Sequence, residues 1–314
     1  MNRTAALLLA CLTLGCSFAF GAYPDRPVKL IVPWGAGGDT DVIYRALQPF
    51  LQKYLGETVV IANVGGASGT KGAKEAREAP ADGYTIFAVH DSIHSTYWTG
   101  VADVAYTDFE PICLVSSTPS ILTASPKAPW KDIKAMLADA KKRPGAITVG
   151  ATLGSTSHFF PALVEKAAGI KFKYVPYEGT ADRMNALLGS HIDLGESNLT
   201  QKGKAEAGHI HFLAIATEKR SPEIPDVPTL KESGVDVEYA VNRGLLAPKG
   251  TPAAVLAKLR SSCASAVKEP GFAKAMHLQG TLVHYLGPKE YTEFLKANDK
   301  VNHDLAKDLG LLKR

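Results

Sequence analysis

Two stretches of this 314-residue chain combine glycines with hydrogen-bond donors in an order that suits an anion. The first is Pro33-Trp34-Gly35-Ala36-Gly37-Gly38-Asp39-Thr40-Asp41, set between a β-branched run and a run of helical period. Its glycines let the backbone take positive φ and lie close against a guest. A helix beginning near Thr40 or Asp41 turns its free N–H groups and positive dipole end toward that loop, where a carboxylate or phosphate fits. The bland alternative is a plain turn closed by an Asp or Thr N-cap. The second stretch, Gly150-Ala151-Thr152-Leu153-Gly154-Ser155-Thr156-Ser157-His158, also leads from strand to helix. Its hydroxyls add side-chain donors, and Ser155 to Ser157 double as candidate helix caps. Two such loops in equivalent positions describe a cleft with opposed anion-binding walls, at the carboxyl ends of open α/β sheets. A third Gly-rich loop, residues 65–72 with Ser68, follows the second strand and is placed at the same mouth.

Catalytic and metal patterns fail on particular residues. The first loop lacks the Gly-Lys-Ser/Thr of a phosphate-binding loop, and Thr40 stands where the third glycine of a dinucleotide fingerprint belongs. Gly66-Ala67-Ser68-Gly69-Thr70 falls one glycine short of a nucleophile elbow. Ser155, Ser157 and His158 are sequence neighbours, whereas a nucleophile and its base usually come from separate segments. His90 and His94 share a face only if their loop is helical, and His209 with His211 lacks a completing Cys or carboxylate. A periplasmic hydrolase is therefore the weakest reading, and neither metal nor cofactor is expected.

The elements that must hold these loops follow from hydrophobic period. Residues 28–32 read as a strand, 41–54 as an amphipathic helix, 59–62 as a strand, 72–79 as a short helix and 85–89 as a strand. The alternation resumes with helix 130–142, strand 147–151, helix 157–168, strand 171–175, helix 181–188, and strands 192–195 and 212–216. Such an order implies α/β lobes with mainly parallel sheets. Two extended stretches, 114–124 and 239–248, read as passages between lobes. The chain then divides into 23–122 plus 245–314 as one lobe and 123–244 as the other, about the size that calls for two cores.

Arg3 followed by an apolar run over 5–14, with small residues at Ser17, Ala19 and Gly21, is the pattern of a signal peptide over 1–22. A periplasmic location follows. Cys16 lacks the spacing of a lipobox, because Leu14 sits one place off. Cys113 and Cys263 then remain, open to pairing in an oxidising compartment and equally readable as buried small hydrophobes. Without Arg3 the net charge falls from +4 to +3, with no basic stripe. Nucleic acid is excluded on that ground, while a small anion is mildly favoured.

Further motifs run in order along the mature chain: Tyr23-Pro24-Asp25-Arg26-Pro27-Val28, Pro80-Ala81-Asp82-Gly83-Tyr84-Thr85 and Val175-Pro176-Tyr177-Glu178-Gly179. Arg220-Ser221-Pro222, Pro225-Asp226-Val227-Pro228-Thr229, Glu232-Ser233-Gly234 and Gly244-Leu245-Leu246-Ala247-Pro248 follow. With the two Gly loops they resemble the Bug family, the TctC-related substrate-binding subunits of tripartite tricarboxylate transporters. That resemblance implies a type II periplasmic-binding fold, two lobes on a double-crossover hinge, closing on a di- or tricarboxylate or an aromatic carboxylate. It also implies membrane subunits as partners and a monomeric protein. Ala36, Gly37, Gly38, Asp39, Thr40 and Asp41 become one wall, and Thr152, Gly154, Ser155, Thr156, Ser157 and His158 the other. Tyr177, Gly179 and Thr180 resemble a further wall segment. Trp34, Phe159 and Tyr177 are placed to flank a flat or apolar ligand body.

Three features depart from the family pattern. Asn242-Arg243 replaces a common aromatic pair, Glu196-Ser197-Asn198 stands where Phe-Asp-Asn or similar is usual, and His90-Asp91-Ser92-Ile93-His94 is unusual. Either His90 or His94 reaches the ligand, or both sit on a polar loop. Arg243 either grips a ligand carboxylate or makes an ion pair with Glu196 or another hinge acid. A sensor subunit that docks on a signalling receptor is the rival to a transporter subunit, since both partners read the closed state.

Overall fold

The computed structural model describes residues 23–314; the signal-peptide reading of 1–22 lies outside the described residues. The first part of the chain runs β1 (Val28–Val32), α1 (Asp39–Leu55), β2 (Val59–Asn63), α2 (Thr70–Glu78), β3 (Thr85–His90), α3 (Ser92–Trp98) and β4 (Phe109–Pro119). The middle part runs β5 (Ile121–Ala124), α4 (Ile133–Lys142), β6 (Thr148–Ala151), α5 (Thr156–Ala168), β7 (Lys173–Pro176), α6 (Thr180–Leu188), β8 (Leu194–Ser197), α7 (Lys202–Glu206) and β9 (His211–Ile215). The last part is β10 (Ala240–Pro248), α8 (Ala253–Ala266), α9 (Pro270–Leu278), β11 (Leu282–Leu286) and α10 (Pro288–Asp308).

Local chemistry explains the element that matters most here. Helix α1 buries Ile43, Tyr44, Leu47, Leu51 and Leu55 at helical spacing, each a side chain whose burial is worth about 2 kcal/mol. It stops at Gly56, whose φ of 88° lets its N–H return to the Gln52 carbonyl. Strand β1, packed under it, is almost wholly buried, as a strand covered on both faces must be.

The strands form two sheets. One has the order β11-β4-β10-β3-β1-β2, the other β7-β6-β8-β5-β9. They are mixed rather than mainly parallel. Strand β1 runs parallel to β2 and β3, and β6 parallel to β7 and β8, but β10, β11 and β5 pair antiparallel with their neighbours. Helical period counted the βαβ units correctly and missed these strands because they join the sheets without a crossover helix.

Sheet membership changes at Ser120, between β4 and β5, and again where Tyr239 leads into β10. The crossings lie side by side: Ser120 N–H donates to Tyr239 O, and Ala240 is in register with Pro119. The expected passage 114–124 thus spans the end of β4, the crossing at Ser120 and all of β5, and 239–248 is β10 with the crossing at its start. Cys113 on β4 and Cys263 on α8 are disulfide-bonded, with Cα atoms 6.6 Å apart inside the first core.

Candidate functional site

The first wall is built around the start of α1. The helix begins at Asp39 after Gly38, so the expected Asp or Thr cap is absent. Asp41 instead turns back to fasten the loop. Its carboxylate accepts from Gly37 N at 2.9 Å, Arg45 Nε at 2.8 Å and Asn63 Nδ2 at 2.9 Å. Burial pushes the Asp41 carboxyl up, but the bonds from Arg45, Gly37 and Asn63 outweigh it and hold it below the ordinary range. Ala36 and Gly37 are exposed on the outer side of the turn. Trp34 stacks on His90 with ring centroids 5.0 Å apart.

His90 ends β3 and is buried. Its Nδ1 accepts from Ser92 N at 3.1 Å, which leaves the ring proton on Nε2. Burial first, then the Arg243 and Arg183 charges, drives its pKa well below the usual value, so the ring is a neutral donor. Arg243 lies opposite His90 in the β10–β3 register and is buried. Its Nε donates to Thr40 Oγ1 at 3.1 Å and its Nη1 to Thr118 Oγ1 at 3.0 Å and Val241 O at 3.3 Å. Among the described residues its hydrogen-bond partners include no carboxylate.

The second wall is the start of α5. Gly150 on β6 has no room for a side chain, since a Cβ there would lie 2.4 Å from Ile192 Cδ1. The serines do not cap the helix. Ser157 Oγ accepts from Thr152 N at 3.0 Å, and Ser155 Oγ donates to Thr152 O at 2.8 Å, so they lock the loop. The N–H groups of Thr156 and Ser157, in the first turn of the helix, have no acceptor within it. Thr152 Oγ1 donates to Tyr177 O and accepts from Gly179 N, tying this loop to the start of α6. His158 accepts from Gly154 N and packs its ring against Tyr174, away from the cleft, while the Tyr177 ring joins the small core around Ile192. Phe159 is fully buried.

Glu196 is not the partner of Arg243. It pairs with Arg183, not Arg243: Arg183 Nη2 lies 2.7 Å from Glu196 Oε2, and Arg183 Nε donates to the Glu196 carbonyl. Ser120 Oγ donates to its other oxygen at 3.1 Å. Burial raises the Glu196 carboxyl above its ordinary value, with Arg183 opposing.

The walls meet. Asp39 accepts from Thr180, Asn198, Thr200 and Gln201 on the opposite wall. Ser68 reaches across with its N–H to Glu178 and its hydroxyl to Leu153 O. Gly154 lies against Thr99 and Val101, and Gly179 against the Trp34 ring. Between the walls a cavity of about 30 Å³ remains. Around it stand Trp34, Gly38, Asp39, Thr40, His90 and Arg243 on one side. Thr152, Ser155, Thr156, Ser157, Gly179, Thr180 and Glu196 face them. Ala36, Gly37, Asp41, Ser68, Gly154, His158 and Tyr177 lie off the cavity.

Sequence reasoning missed Arg183, Asn198, Thr200 and Gln201. Arg183 carried one usable signal: a cation in the first turn of a helix runs against the dipole, so a carboxylate must hold it. Among the described residues no group of three or more His, Cys, Asp or Glu side chains is placed to hold a metal ion. None of the described helices is long and apolar enough to cross a membrane.

Residues 43–311 match the TctC description, tripartite tricarboxylate transporter family receptor. The chain belongs to that family. Its fold is close to the periplasmic binding protein BugD, with a TM-score of 0.88 and 34% identity over 93% of this chain and 100% of that one. A Rhodopseudomonas palustris protein solved with adipate gives a TM-score of 0.87 and 30% identity, over 92% of this chain and 98% of that one. MatC from the same organism, solved with bound malate, gives 0.84 and 27%, over 90% and 99%. Members of the family are periplasmic solute-binding proteins, and this chain is a binding protein rather than an enzyme. Its two-lobed α/β architecture is theirs.

Proposed function

We propose that this protein is exported to the periplasm, captures a small organic carboxylate between its lobes, and delivers it to the membrane subunits of a tripartite tricarboxylate transporter. The two lobes are those set by the sheets, with the paired strands at Ser120 and Tyr239 as the hinge. One observation carries the ligand class: a buried guanidinium without a carboxylate partner stands on the same cavity as the neutral donor His90 and the free N–H groups of α5. Arginine offers five donors in a fixed fork and no acceptor, a match for a carboxylate. A helix N-terminus adds a positive dipole end. Relatives solved with malate and adipate support the same class.

The protein acts by closure. An anion on one wall draws the other wall's donors onto it, and its affinity for the closed form shifts the population. Calorimetry and thermal shift against mono-, di- and aromatic carboxylates test the reading. Saturation at a hundred times Kd should stabilise the fold by about 2.7 kcal/mol. A folded protein indifferent to every organic acid would refute it.

A further inference from the structure

Asp39 is a carboxylate at the first position of α1, where a ligand carboxylate would be expected. We infer that Asp39 is an internal stand-in for a second ligand carboxylate, so that the cleft selects a short monocarboxylate over dicarboxylates. This rests on the carboxylate reading above and narrows it.

The geometry is that of a filled anion site. Asp39 Oδ2 accepts from Thr180 Oγ1 at 3.1 Å and Asn198 Nδ2 at 2.7 Å, and Oδ1 from Thr200 Oγ1 at 2.7 Å and Gln201 Nε2 at 3.2 Å. A carboxylate has about four lone-pair sites, so its capacity is used up. All four donors come from the opposite lobe. Asn198 is held with its amide N–H side toward Asp39, because its Oδ1 accepts from Thr200 N at 2.9 Å. The starts of α1 and α6 also converge here: a Cβ on Gly38 would lie 3.8 Å from Ala181 N. Two positive helix ends brought together repel, and a carboxylate between them relieves both.

The charges left over count the ligand's own. Arg183 is committed to Glu196, which leaves Arg243 as the guanidinium on this cavity that no carboxylate of the chain engages. One ligand carboxylate therefore finds a partner. A second would have to share His90 and the α5 N–H groups with the first, beside Asp39 and Glu196, both carboxyl groups. The relatives solved with malate and adipate, both dicarboxylates, set the contrast.

The test is calorimetry on the mature wild-type chain and on Asp39→Ala, with acetate, lactate and pyruvate against succinate, malate and adipate. In the wild type at least one monocarboxylate should bind tenfold or more tightly than every dicarboxylate. In Asp39→Ala, checked for folding by circular dichroism, the freed donors should raise dicarboxylate affinity at least tenfold relative to monocarboxylate affinity. A wild-type preference for any dicarboxylate overturns the inference while leaving the carboxylate reading in place. An unchanged ratio in a folded variant overturns it too. Silence from every acid overturns both. The wild-type comparison decides the matter even where the variant does not fold.

Discussion

Replacing Arg243 separates a ligand-gripping residue from a structural one, because the two roles predict opposite signs. Arg243 is 3% exposed and bonds only two hydroxyls and a backbone carbonyl. Burying a guanidinium costs several kcal/mol, and neutral acceptors return part of it. In Arg243→Met the aliphatic body is kept and that desolvation cost disappears. Thr118 is not orphaned, since its hydroxyl also contacts the Thr281 hydroxyl at 2.5 Å, and Thr40 Oγ1 is a rotor that finds a new partner. The melting temperature of the unliganded protein should stay level or rise. Ligand affinity should fall, because hydrogen bonds to a charged group are worth about 1.5–3 kcal/mol, or roughly 10- to 150-fold in Kd. Arg243→Lys keeps the charge without the fork and should fall between. The His90 ring offers an independent reading. Arg243 is the second cause of its depressed pKa after burial, so removing that charge should move the imidazole resonances toward ordinary titration in NMR. A Kd unchanged within twofold, or a melting temperature that drops while affinity holds, would refute the assignment.

Gly154→Ala tests closure: the residue has φ of 78°, and a Cβ would lie 2.7 Å from Thr99 Oγ1 and 2.8 Å from Val101 Cγ2 across the cleft. Affinity should fall roughly tenfold, with only the strain of a left-handed alanine, about 1–2 kcal/mol, appearing in thermal stability; small-angle scattering that shows unchanged closure on ligand would contradict this. A third expectation concerns acid. With the His90 pKa held well below 6.5, the unfolded chain takes up a proton that the native state refuses as pH falls through that value. The contribution of His90 is therefore fully present above pH 6.5 and is lost below it, by at most about 1.4 kcal/mol per pH unit. Glu196 and Asp91, raised by burial, act with the opposite sign. The readout is thus the difference between wild type and His90→Gln in denaturant melts from pH 7 to about 5; the variant should show a shallower decline, and parallel curves would refute it.

The fold was legible where one face of an element carries the signal. The strand, Gly-rich turn and helix of residues 28–54 follow from period and turn chemistry, and so does the companion loop at 150–158. The antiparallel strands were not, because β10 and β11 pair with neighbours distant in sequence and nothing in a single strand states its direction. Among the expected site residues, Trp34, His90, Glu196 and Arg243 line the cavity, whereas Ala36, Gly37, Gly154, His158 and Tyr177 do not. Whether Arg243 or Arg183 reaches Glu196 depends on rotamers at the meeting of β8, β10 and α6. Ser155 and Ser157 show a subtler limit. Hydroxyls near a helix start suggest capping, yet a six-residue loop gave them Thr152 as a closer partner.

Helix ends provide the reason that an anion belongs in this cleft. The first turns of α1, α5 and α6 all border the same cavity. Closing the lobes brings three positive dipole ends together with Arg183 and Arg243, an arrangement that opposes itself unless negative charge enters. Glu196 answers Arg183, and Asp39 answers α1 and α6 together. The start of α5 meets serine and threonine hydroxyls engaged within its own loop, and Arg243 meets two threonines and a carbonyl. The chain supplies counter-charge for three of these five positive elements and leaves the start of α5 and Arg243 to the guest. Closure is then coupled to occupancy by electrostatics rather than by shape alone, so raising ionic strength should weaken binding less than it would at an exposed site, because the residual charge is buried.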